Sequence, residues 1–165
     1  MARTINLDTL YSPEEEQFNQ AFGELSFRCR DGINDIKNNK SDTIGLKISS
    51  SNSQRFKDQA WQLLGGYIAN NTHLRELDLN RCNLTDQKMA LLFGGLIKSG
   101  SIRELDIQNN ECVGIEGVRC MVPFLESSRK LSSIDFSVSS RFEDYHYDSD
   151  SDQSDSRFNS ECFEV

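Results

Sequence analysis

Histidine is nearly absent from these 165 residues, with only His73 and His146. Neither stands near a serine or cysteine in a pattern that pairs a nucleophile with a base. Neither histidine is expected to act as a general base, and no catalytic residue is expected. Cysteine is limited to five positions, Cys29, Cys82, Cys112, Cys120 and Cys162. The number is odd and no C-x-x-C pair occurs, which argues for buried or free thiols over a disulfide framework, and against a zinc site. Long apolar runs are also missing. No stretch approaches the roughly eighteen residues of a membrane span, and Met1 to Leu10 has neither an apolar segment nor a cleavage site. The expected location is the cytoplasm or the nucleus, with no membrane partner.

Positive charge is short as well. Lys and Arg number 18 against 26 Asp and Glu, a net of −8. Residues 141–165 carry eight acids against Arg141 and Arg157, a net of −6, which leaves −2 for residues 1–140. Neither part offers the basic surface that binding a phosphate backbone requires, so nucleic acid is excluded as a direct partner. Hydrophobic residues make up 36% of the chain, enough for one core but low for a compact globule, so part of the chain should be unfolded.

What the chain does contain is self-similarity. HLRELDLNRCNLT at 73–85 is followed by SIRELDIQNNECV at 101–113, and KLSSIDFSVSS at 130–140 echoes both. Leu74, Ile102 and Leu131 open the same L-x-x-L-x-L frame at spacings of 28 and 29 residues. The frame is completed by Leu77 and Leu79, by Leu105 and Ile107, and by Ile134 and Phe136; Leu46 and Ile48 close a weaker copy that begins at Thr43. Alternating apolar residues put one face of a strand into a core and leave the other open. Counting back thirteen, ten and six residues from each opening position gives Trp61, Leu64 and Ile68, then Met89, Leu92 and Leu96, then Val118, Met121 and Leu125. Those steps of three and four are helical. Each unit reads as strand, loop and helix with its apolar sides turned to one interior, and a single unit cannot bury that interior alone, so the units must stack. Gly65-Gly66 and Gly94-Gly95 fall inside the helical patterns and not in a phosphate-cradling loop, so they predict close helix packing and no cofactor.

In this pattern residues 33–140 resemble the leucine-rich repeats, and the period with its helix resembles the ribonuclease-inhibitor-like subtype. The resemblance implies an α/β solenoid with a parallel concave sheet and convex helices. It also implies that the residue three beyond the L-x-L pair turns inward to hydrogen-bond the loop backbone. Cys82 and Asn110 hold that position, while the outer units offer Ser51 and Ser139. Two departures carry their own expectations. Pro123 should shorten or kink the third helix or turn it partly 3₁₀, and the longer spacing of 31 from Leu46 to Leu77 is assigned to a loop at 49–54.

The flanks complete a four-part organisation. Residues 1–11 are expected to be a flexible N-terminus. Ser12-Pro13-Glu14-Glu15 has the form of a capping box with proline at the first helical position, so residues 12–39 should form a helical cap, interrupted at Gly32, over the open end of the core. The repeat domain is assigned to 40–140, about four strand units. The Ser/Asp alternation of 141–165 predicts a disordered acidic tail.

A binding site follows from the strand alternation. One row of outward positions runs Lys47, Asp78, Asp106, Asp135; a second runs Gly45, Glu76, Glu104, Ser133; a third runs Ser49, Asn80, Gln108, Ser137. The predicted protein-binding residues are Glu76, Asp78, Asn80, Glu104, Asp106, Gln108 and Asp135. As the resemblance to the ribonuclease-inhibitor type implies, they would form a non-catalytic interaction surface for a basic protein. The competing reading is an ordinary solvated strand face, with Arg75 and Arg103 pairing with nearby acids. Two other functions stand beside these. One is regulation of an enzyme, as in GTPase-activating proteins of this repeat type, which a stimulated rate of GTP hydrolysis would distinguish. The other is that the chain is a piece of a larger repeat receptor, with an unprotected apolar face near Ile134 and Phe136 and self-association through that C-terminal end.

Overall fold

The computed structural model describes residues 12–136; the expected flexible N-terminus, the acidic tail, Ser137 and Ser139 lie outside them. The capping box forms. Ser12 Oγ accepts from the Glu15 backbone N–H at 3.2 Å and Glu15 Oε2 from the Ser12 N–H at 3.0 Å, starting α1 at Pro13–Phe22. The expected break comes earlier than Gly32. Helix α2 runs Phe27–Lys37 straight through that glycine, because Ser26, not the glycine, ends the turn: its N–H donates to Asn52 Oδ1 at 3.0 Å and its hydroxyl accepts from Asn52 Nδ2 at 3.1 Å. Gly32 instead faces the Leu46 side chain at ordinary contact distance. Phe18, Phe22, Ile33 and Ile36 close the N-terminal end of the core.

Four three-residue strands follow, β1 at Gly45–Lys47, β2 at Glu76–Asp78, β3 at Glu104–Asp106 and β4 at Ser133–Asp135. They pair in chain order as one parallel sheet. The register places Leu46, Leu77, Leu105 and Ile134 in one line, as the repeat alignment predicts. Between the strands lie α3 at Ser50–Ser53, α4 at Asp58–Asn70, α5 at Asp86–Leu96 and α6 at Ile115–Ser127. The extra residues of the first unit thus wind into α3, where a loop was expected. Asn52, one residue beyond Ser51, is the side chain that turns inward there.

The core is continuous from the cap to α6. Trp61, Leu64, Leu77, Leu79, Met89 and Leu92 are essentially inaccessible, each contributing about 1.5–3 kcal/mol of apolar burial. Phe18, Phe22, Phe56, Trp61 and Tyr67 form a chain of aromatic contacts. Two expectations for the last unit are corrected. Helix α6 keeps thirteen residues and does not shorten at Pro123, because the proline lies on the exposed side, where the carbonyl deprived of its donor faces water. Phe124, fully buried against Phe93 at 5.6 Å, fills the place expected for Leu125, which is 38% exposed.

Thiol chemistry follows burial. Cys29, Cys82 and Cys120 are free. Cys112 is disulfide-bonded and half-buried, against the expectation of thiols throughout. Desolvation pushes the Cys29 thiol up to about 11 and the Cys82 thiol up to about 12. Since the thiolate is the nucleophile, native alkylation near pH 8 is expected to label Cys120 and spare Cys29 and Cys82. Mass spectrometry of the labelled peptides tests this, and early labelling of Cys82 would contradict the closed core.

Candidate functional site on the concave face

Strand alternation places Gly45, Glu76, Glu104 and Ser133 in one lateral row and Lys47, Asp78, Asp106 and Asp135 in another, with neighbours about 4.8 Å apart along each row. Between the rows the buried Leu77 and Leu105 form the floor of a shallow depression of about 270 Å³, whose rim carries Glu76, Asp78, Glu104, Asp106, Ser133 and Asp135. Five of the seven sequence-predicted residues, Glu76, Asp78, Glu104, Asp106 and Asp135, therefore line this depression, while Asn80 and Gln108 lie just beyond the ends of β2 and β3.

The five carboxylates are not equivalent. Asp78 is engaged twice: it pairs with Lys47, and its Oδ1 accepts the Asn80 backbone N–H at 3.0 Å. The same contact holds Lys47 protonated above its ordinary range, chiefly by the hydrogen bond and then by the carboxylate charge. Asp106 repeats the turn, accepting the Gln108 N–H at 2.9 Å, and also takes Asn80 Nδ2 at 3.2 Å. Asn80 in turn accepts from Asn109 Nδ2 at 3.3 Å. Asp78, Asp106 and Asn80 thus build the turns that end the strands. The carboxylates of Glu76, Glu104 and Asp135 have no hydrogen bond or ion pair among the described residues. Arg75 and Arg103 do not neutralise them. Ion pairs among the described residues are Lys40–Asp35, Lys47–Asp78 and Arg119–Glu116, so the expected arginine pairing is absent.

The inward positions behave as the repeat resemblance implies. Asn110 Nδ2 donates to the carbonyls of Leu79 at 3.0 Å and Ile107 at 2.9 Å, and its Oδ1 accepts the N–H groups of Cys82 and Leu84, both at 3.0 Å. Cys82 Sγ donates to the Ile48 carbonyl at 3.2 Å. Asn109, which sequence reasoning passed over, belongs to the same arrangement. It sits at the left-handed backbone position that Arg81 occupies one unit earlier, φ 56° against 57°, and asparagine tolerates that conformation better than most residues. The 28-residue alignment of Arg81 with Asn109 was the available signal. Asn71 was also missed: its Nδ2 donates to the Ile36 carbonyl at 3.0 Å and its Oδ1 accepts the Leu74 N–H at 2.6 Å, tying the cap to the approach of β2.

Chemically, the face can accept hydrogen bonds and positive charge. Among the described residues no group of three or more His, Cys, Asp or Glu is placed to hold a metal ion, and no helix is long and apolar enough to cross a membrane. His73 lies half-buried just before β2, and His146 is outside the described residues.

The sequence model of the family described as Leucine Rich repeat matches residues 70–87, the stretch that contains β2 and the loop after it. No curated protein matches the sequence. Among solved structures, leiomodin-1 actin-binding site 2 superposes with a TM-score of 0.57 at 15% identity, covering 65% of this chain and 60% of that one. The tropomodulin C-terminal domain of Caenorhabditis elegans gives a TM-score of 0.47 at 13% identity, covering 68% and 84%. The leiomodin-1 likeness, at that identity, is one of fold.

Proposed function

We propose that this chain is a non-catalytic protein-interaction module of the ribonuclease-inhibitor-like leucine-rich-repeat type, whose concave strand face receives a basic surface of another protein. The observation that carries the reading is the set of uncommitted carboxylates, Glu76, Glu104 and Asp135, held on adjacent strands of a rigid sheet. The like charges of the lateral neighbours Glu76 and Glu104 repel across about 5 Å, and an approaching Lys or Arg would relieve that repulsion as well as pair with it. The period of 28 to 29 residues with an α-helix in each full unit supports the subtype. The leiomodin-1 structure is described as an actin-binding site, which supports a protein as the class of ligand for such a fold. The nature of the partner rests on the charge of this face. Residues 12–39 serve in this reading as the cap and 40–140 as the repeat domain.

The test uses residues that have no structural duty. Asp78 and Asp106 close turns, so their reversal would confound folding with binding; Glu76→Lys combined with Glu104→Lys leaves those turns intact. The wild-type chain is expected to retain a basic protein from cell extract in a salt-sensitive manner, and the double variant to lose at least about tenfold in affinity for it. Equal retention by both chains, with matching circular dichroism, would reduce the stripe to a solvated face.

A further inference from the structure

We propose that Cys112 is bonded to Cys162, and that residues 137–162 form a strap which oxidation fastens across the C-terminal end of the solenoid and reduction releases. Cys112 is disulfide-bonded, and the three other cysteines among the described residues, Cys29, Cys82 and Cys120, are free. The one cysteine that the chain has left for it is Cys162. The bond engages two residues that the concave face does not use.

The place of Cys112 in the fold gives the bond a structural duty. Loops of successive units stack on one another: the loop after β2 is held to the loop after β3 by Asn110 and by the parallel bridge between Thr85 and Cys112. On that pattern the chain beyond Phe136, which continues β4, sets out along the outer side of the Cys112 loop. A bond from Cys162 back to that loop closes the segment over the end of the sheet. The end has apolar surface to cover. Ile134 is 36% exposed where Leu77 and Leu105 are 1%, and Phe136 is 36% exposed where Leu79 and Ile107 are 0% and 1%.

The segment has the reach and the chemistry for this place. The 25 residues from 137 to 161 extend to roughly 80 Å at full stretch, ample to cross the end and return. They include Val138, Phe142, Tyr145 and Tyr147, which can shield Ile134 and Phe136. Arg129 and Lys130, exposed just before β4, offer positive charge to residues 141–165, whose net charge is −6; Asp135 and Glu126 are the acids nearest in sequence. Closure balances as thiol–disulfide exchange. The thiols of Cys112 and Cys162 give two electrons and two protons to a low-molecular-weight disulfide such as glutathione disulfide. Its S–S bond breaks to leave two thiols as the bond between the two cysteines forms. A dithiol reverses the step, and in a reducing compartment such a bond is a redox-responsive one.

Peptide mapping of the full chain is the first test. After equilibration with glutathione disulfide and trapping of free thiols, trypsin, which cuts after Arg103, Arg119 and Arg157, should yield residues 104–119 linked to residues 158–165. Dithiothreitol should separate them. Amide exchange is the second test: residues 131–136 should exchange at least about tenfold more slowly in the oxidised chain than in the reduced one. Cys162→Ser, a change outside the described core, should exchange at the reduced rate under both conditions with its circular dichroism unchanged. A link from Cys112 to Cys120, a bond between two chains, a mixed disulfide with glutathione as the end state, or two thiols that stay reduced would each overturn the proposal. So would a Cys112–Cys162 link that leaves the exchange of 131–136 unaltered. Glu76 and Glu104 take no part in either readout, so the outcome is independent of the concave-face reading.

Discussion

Asn110→Ala is expected to lower the free energy of unfolding by about 4 kcal/mol, a large share of the roughly 5–15 kcal/mol that holds a domain together. The reason lies in what the substitution leaves behind. Asn110 Oδ1 accepts the N–H groups of Cys82 and Leu84, and both residues are fully buried. Alanine would strand those two donors without water, at about 1–3 kcal/mol each. The carbonyls of Leu79, Ile107 and Gln108 would also lose the donor they share. Because the bonds join the loop of one unit to the loop of the next, the loss should loosen the stacking of β2 on β3 and not only a local turn. Urea denaturation followed by circular dichroism measures the change. A loss below about 1 kcal/mol would mean that water reaches those amides, and that the loop is less closed than its burial indicates.

Gly95→Ala is expected to destabilise by about 3 kcal/mol, whereas Gly94→Ala one residue away should stabilise slightly. In an isolated helix alanine is favoured over glycine by about 1 kcal/mol at either position, so propensity alone predicts the same sign for both. Packing separates them. A Cβ at Gly95 would overlap the backbone carbonyl of Gly65 on α4, and a Cβ at Gly65 would overlap the carbonyl of Leu92 on α5. Both obstacles are main chain and can be relieved only by moving the helices apart. A Cβ at Gly94 meets nothing within 4 Å. Thermal unfolding of the two variants in parallel provides the check, and a stabilising Gly95→Ala would show that α4 and α5 can separate freely.

These two expectations also mark where sequence reading stops. The Gly65-Gly66 and Gly94-Gly95 pairs announce close helix packing, but which member of each pair makes the contact depends on the rotation of α4 against α5. Asn110 stands where the repeat resemblance places an inward-turning residue. The identity of the two amides it satisfies, however, belongs to another unit 26 to 28 residues away. Ser26 and Asn52 behave alike: neither stands out in the chain, and together they decide where the N-terminal cap breaks. Asn71 gives no sign of its role until the cap and β2 are adjacent.

The candidate site divides in the same way. That Glu76, Glu104, Asp78, Asp106 and Asp135 share a face follows from alternation along a strand combined with the repeat period, and both are written in the order of residues. Which of these carboxylates is occupied by Lys47, by a turn amide or by Asn80 is a matter of distance between units. Charge pattern alone does not distinguish Asp78 from Glu76. The exposure of Ile134 and Phe136 is hidden in the sequence too, because each matches in kind its buried equivalents Leu77, Leu105, Leu79 and Ile107. The sequence by itself therefore determined the period, the strand register and the core-facing residues of the two middle units, since these are local consequences of side-chain direction in strands and helices. Only the tertiary structure decided which polar groups satisfy one another, which glycines touch and which of two neighbouring residues, Phe124 or Leu125, enters the core, because those depend on contacts between residues that the chain keeps far apart.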